Sequence, residues 1–141
     1  MNLNNPFWLF CLSLWKDDAI AKLAISLSVT QGVDVVGVFF ILYAQQHHRQ
    51  VNESNFRAIQ TTYRPLIEQY RTLRRASKDQ VAEALYQQQK QLELCAEQHY
   101  ANALFERALH TGQLNSIELS VFERELLVFA GSRIDSEVNP H

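Results

Sequence analysis

Arg64, Arg71, Arg74, Arg75 and Lys78 are the side chains of this sequence best suited to chemistry. They recur at spacings of three, four and seven, so four of the five can share one face of a helix while Leu66, Tyr70 and Leu73 turn inward. A guanidinium presents a planar fork that donates two hydrogen bonds to one oxyanion, which suits it to phosphate. Residues 57–78 hold six basic side chains against the single acid Glu68, whereas residues 79–141 hold four basic against ten acidic. That asymmetry points to a basic surface for DNA phosphates or a protein partner. The same face can instead be a solvated counter-charge to the acidic helices that follow, with Asp79, Glu83, Glu93, Glu97 and Glu106 at hand. Exposed arginines of this kind would contribute little to stability.

Other reactive groups are sparser. His47-His48 close an apolar stretch, where a cation meets the negative end of a helix dipole, and capping accounts for them. Cys95 and His99 stand one helical turn apart, but two ligands do not hold zinc, so packing is expected and no metal or cofactor is assigned. Asp34, just after Gly32 and ahead of an apolar run, reads as a helix cap rather than an acid or base. Phe7, Trp8, Phe10 and Trp15 read as core rather than as the lining of a ligand cavity. Cys11 and Cys95 share no local motif and read as buried, reduced thiols. There is no glycine-rich phosphate loop, Ser-His-Asp context, Cys-x-x-Cys or His-Glu-x-x-His, so a protein without catalytic residues is expected.

The elements that must position these groups read as helices. At 141 residues and 47% hydrophobic, the chain suits one domain with a real core. Four glycines and three prolines are too few for many tight turns. Asn5-Pro6 starts a helix running to about 15, and Asp17-Asp18 start another to about Ser28, broken by Thr30-Gln31-Gly32. Asp34 caps a third to about His48; its Val, Phe and Ile residues favour strands, but a lone strand would leave its backbone unpaired. Apolar on nearly every side, it should be central and buried. Asn52 or Ser54 caps a fourth helix, kinked or split by Pro65.

A fifth helix should run from Asp79 to Thr111 with Gly112 as its stop, roughly 50 Å long, its glutamine-rich first half projecting or pairing. Val81, Leu85, Leu92 and Cys95 on one side of it allow a weak homodimer. A sixth should span Ser116 to Ala130 and end at Gly131. The expected fold is therefore all-α: a single-domain bundle of about six helices over 1–131, with a buried central helix, one long helix and a flexible tail at 132–141. The apolar runs 6–15 and 35–44 fall short of the ~20 residues that cross a bilayer. With no basic n-region or small-residue cleavage site, a cytoplasmic protein is expected.

Asn5-Pro6-Phe7-Trp8 resembles the opening of a small family of largely uncharacterised proteobacterial proteins. The resemblance continues through Leu27, Gly32, Asp34 and Val35, then Tyr63-Arg64, Leu73-Arg74-Arg75, Glu93-Leu94 and Ala96-Glu97-Gln98, covering about residues 4–110. Ser28, Val29 and Val36 stand where Gln, Asp and Asn are usual in the family. One member is a nucleoid-protein-like transcriptional silencer of type VI secretion and virulence genes. The resemblance thus implies a non-enzymatic regulator of transcription acting through a protein partner, with at most weak contact to DNA through the basic segment. A helical interaction module without DNA binding, and a helical bundle that binds a small ligand, are the alternatives.

Overall fold

Asn5, Asp17, Asp34 and Asn52 each stand in extended conformation and accept hydrogen bonds from the first free backbone N–H groups of the helix that follows. These caps fix the starts of α1 (Pro6–Trp15), α2 (Asp18–Gln31), α3 (Val35–Gln46) and α4 (Glu53–Ser77). The computed structural model describes residues 3–110 and 117–138, and α5 (Glu83–Arg107) and α6 (Val121–Val138) complete six helices among them. The fold is all-α. Its extended backbone is a two-residue bridge in which β1 (Gln50–Val51) pairs antiparallel with β2 (Leu109–His110).

Every residue of α3 from Val35 to Ala44 is buried, so it is the central helix. Strand-favouring side chains tolerate the helix because it pairs its own backbone groups where no neighbouring strand could. The N-terminal aromatics join this core: Phe7 meets Phe40 edge-on at 5.2 Å and Tyr43 at 5.5 Å, and Trp15 meets Phe39 at 5.9 Å. Gly32, at φ 65°, adopts the left-handed conformation that ends α2. No helix among the described residues is long and apolar enough to cross a membrane.

Several boundaries differ from expectation. α2 extends three residues past Ser28, to the residue before its glycine cap. α4 runs unbroken through Pro65. Both Pro65 and Thr61, whose carbonyl the missing N–H frees, face solvent, where water can satisfy that carbonyl. α5 is shorter than expected, roughly 37 Å, because Asp79 at φ 64° turns the chain before it and Ala108 leads into the bridge after it. The expected stop at Gly112 lies outside the described residues. α6 starts at Val121, where Ser120 and Glu123 cap each other reciprocally. It passes through Gly131, where a Cβ would meet Leu42 at 3.4 Å, an ordinary van der Waals contact. The expected tail is therefore helical from 132 as far as Val138. Cys11 is buried but Cys95 is exposed, and both are free thiols.

Candidate functional site

α4 and α5 form an antiparallel hairpin joined by residues 78–82, with Tyr63 stacked on Tyr100 at 5.7 Å. One flank of this hairpin turns toward α2 and the start of α3 and closes a cleft of about 670 Å³. Ile25 and Val29 of α2, Val36 of α3, Ile67 of α4 and Leu94 of α5 supply its apolar walls. Four of the five predicted basic residues, Arg64, Arg71, Arg74 and Arg75, line it, and Lys78 lies outside, at the C-terminal cap of α4.

The expected orientation of α4 holds for Tyr70, which packs against the core, and for the exposed Arg75 and Lys78, but is reversed for the two leucines and for Arg71 and Arg74. Leu66 and Leu73 are 39% and 52% exposed, whereas the side chains of Arg71 and Arg74 are only 17% and 22% exposed. Tyr63 and Ile67 sit close to the inward line of α4, so either flank could have faced the core; buried glutamates on α5 decided it. Arg71 Nε donates to Glu93 Oε1 at 3.0 Å, its Nη1 to Glu68 at 2.8 Å, and its Nη2 reaches Glu97 at 3.4 Å. Arg74 Nε donates to the other Glu93 oxygen at 2.5 Å. Burial by itself would raise the Glu93 pKa, but the hydrogen bonds and charges of Arg74 and Arg71 outweigh it and leave the carboxyl below its ordinary value. Glu97 differs. Burial, joined by the charge of Glu93, pushes it up to about 7 against a weaker pull from Arg71. The counter-charge reading thus holds for Arg71 and Arg74, which are partly buried rather than on a solvated face. Arg75 and Lys78 are exposed and form no ion pair among the described residues.

At the inner end of the cleft, Asp34 does more than cap. Its Oδ1 accepts from Gly37 N at 3.1 Å, while Oδ2 accepts from Gln60 Nε2 at 2.8 Å and from the Tyr100 hydroxyl. Burial, followed by the charge and hydrogen bond of Asp34, holds the Tyr100 proton far above the ordinary tyrosine range, so Tyr100 remains a donor. A Cβ at Gly37 would collide with the Asp34 carboxylate and come within 3.1 Å of Gln60, so only glycine leaves room for this arrangement. Arg64 closes the neighbouring corner by donating to the Gly32 carbonyl at 2.6 Å. The motif residues Gly32, Asp34 and Arg64, separated in sequence, thus meet at one point. Gln60 and Tyr100 escaped the sequence reading. The available signal was a polar Gln60 in the inward register of Phe56, Tyr63 and Ile67.

The other candidates stay apart. His47 is the C-cap of α3, with its ring 4.2 Å from that of Tyr43. His99 Nδ1 donates to the Cys95 carbonyl at 2.9 Å and lies 3.6 Å from Sγ, an arrangement local to one helical turn. Among the described residues no three metal-ligating side chains gather.

The class defined by this fold is an all-helical domain built around one buried helix, with a charged cleft beside it. The chain belongs to the family described as "Protein of unknown function (DUF2390)", whose model matches residues 6–104. That stretch runs from the first residue of α1 into the last turn of α5 and contains the whole cleft, while α6 lies beyond it. No curated protein and no solved structure matches.

Proposed function

We propose that this protein is a non-enzymatic, silencer-like regulator of transcription that works in the cytoplasm by holding a protein partner in the α2–α5 cleft. The observation that carries the proposal is the cleft's rim. Ile25, Val29 and Leu94 are 55%, 57% and 42% exposed there, beside Arg75 and Lys90, which form no ion pair among the described residues. A segment with an apolar stripe and flanking carboxylates matches that rim. The assignment to transcription, and to type VI secretion and virulence genes as targets, is supported by the family resemblance of Tyr63-Arg64 and Leu73-Arg74-Arg75. DNA contact in this reading is slight, because Arg71 and Arg74 are engaged internally and Arg75 and Lys78 remain.

Two measurements test the proposal. In a native-lysate pull-down, the captured partner survives nuclease and is lost with Val29→Glu; capture that vanishes with nuclease, or is unchanged by Val29→Glu, sinks the cleft as partner site. In anisotropy of a labelled duplex across a salt series, two phosphate contacts give a log–log slope of about −2. Arg75→Ala with Lys78→Ala flattens it and leaves stability within about 0.5 kcal/mol. A wild type that does not bind at low salt removes DNA from the proposal and leaves a protein-interaction module.

A further inference from the structure

The α4–α5 hairpin is electrically one-sided. From Arg64 to Arg75 on α4, and from Lys90 to Glu97 on α5, every charged side chain lines the cleft. The opposite flank carries Leu66 and Leu73 on α4 and Leu85 and Leu92 on α5, each pair seven residues apart. These leucines are 39%, 52%, 45% and 50% exposed. Thr62, Gln69 and Ala76 fall on the same stripe of α4, and Gln88 on that of α5, at spacings of three and four, and none is charged.

We propose that this uncharged flank is the interface with a second copy of the chain. In a two-fold dimer the same patch meets itself, so any charge near the axis faces its own like. A patch free of charge, on a protein whose hairpin is otherwise densely charged, is the pattern such self-pairing requires. Leucines repeating every seven residues on two adjacent helices can interdigitate with their mates as a four-helix layer. The stripe from Thr62 to Ala76 is roughly 21 Å long, and two helices side by side are roughly 20 Å wide, giving roughly 400 Å² per protomer. That is roughly 800 Å² in total, below the ~1,000 Å² of a stable interface, so the pairing is weak and transient and is sought at high protein concentration. The homodimer seam expected on α5 alone thus becomes a surface of two helices.

Sedimentation equilibrium of the full chain, carried up to high protein concentration, tests the proposal. The wild type should rise from 16.3 kDa toward twice that mass. Leu73→Glu and Leu92→Glu each set like charges across the two-fold axis and should weaken association at least about tenfold. Because both positions are half exposed, helicity by circular dichroism should not change. Val29→Glu, on the cleft, should dimerise like the wild type, which separates this surface from the proposed partner site. Should a leucine variant fail to fold, labelling of the exposed Cys95 on the same flank of the wild type serves instead and should slow as concentration rises. A monomer at every concentration, leucine variants that associate like the wild type, loss of association in Val29→Glu, or concentration-independent Cys95 labelling would overturn it.

Discussion

Asp34 and Glu93 are two carboxylates, each 8% exposed, set against the same helix pair and satisfied in different ways. Asp34 is held by an amide, a phenol and a backbone N–H. Glu93 is held by two guanidinium groups, one of which, Arg71, also reaches Glu68 and Glu97. Neutral donors of fixed geometry make the first site a joint that locks α3, α4 and α5 in one register. Charged donors shared among several acceptors make the second a network whose balance depends on each member's ionisation. Against a single hairpin, burial of a carboxylate therefore serves both as a rigid lock and as a titratable cluster.

The largest effect that would break this comparison falls on the charged cluster. Arg71→Ala leaves Glu93, Glu97 and Glu68 facing one another with only Arg74 to compensate, and should destabilise the protein by about 3 kcal/mol in urea unfolding at neutral pH. This reverses the expectation that these arginines are exposed and contribute little. A loss below about 0.5 kcal/mol would place Arg71 with surface charges.

A smaller effect sharpens the contrast through pH. Glu97 holds its proton more tightly in the folded protein, up to about 7, than the ordinary value of 4.5. Its contribution is therefore fully favourable below 4.5, falls as pH rises toward about 7 and is level above that. Glu93 has the opposite sign: its stabilisation is present above its ordinary value of 4.5 and is lost as pH falls through the lowered folded value. Glu97→Gln should remove the decline between pH 5 and pH 8 and raise stability at pH 8 by about 2 kcal/mol. Parallel wild-type and variant stability curves over that interval would show that Glu97 ionises without opposition.

The smallest of the three effects falls on the neutral joint. Asp34→Asn keeps the shape and the bond from Gly37 N but exchanges one acceptor for a donor facing Gln60 and Tyr100. A loss of about 1.5 kcal/mol at neutral pH is expected, measured by thermal or urea unfolding. A loss below about 0.5 kcal/mol would mean that these donors do not hold the three helices in register.

Much of the fold was legible because it rests on local chemistry. Asn5 and Asp34 could be read as caps, Asn52 as one of two choices with Ser54, and Asp17 with Asp18 as a helix start, since capping needs only a side chain and the next three residues. The Ser120–Glu123 capping box is equally local, but Ser116 offers a start of the same residue type earlier in the sequence. The burial of α3 followed from an apolar run with no polar face. Gly131 and Pro65 are local stop signals that their surroundings override: Gly131 lies within α6 against Leu42 of α3, and the carbonyl that Pro65 leaves unbonded faces water.

The candidate site was legible as a set of residue types but not as an arrangement. Sequence by itself determined that α4 carries an arginine stripe and a leucine stripe roughly a half-turn apart, with Tyr63 and Ile67 between them. Only tertiary structure decided which stripe turned toward the body of the protein. Helical periodicity specifies angles around an axis, not the partner that each angle meets. Here Glu93 and Glu97, about twenty residues further along the chain, required buried counter-charges, and an unpaired buried carboxylate is costlier than an exposed leucine. The arginines therefore went in, and the leucines were left on the outside.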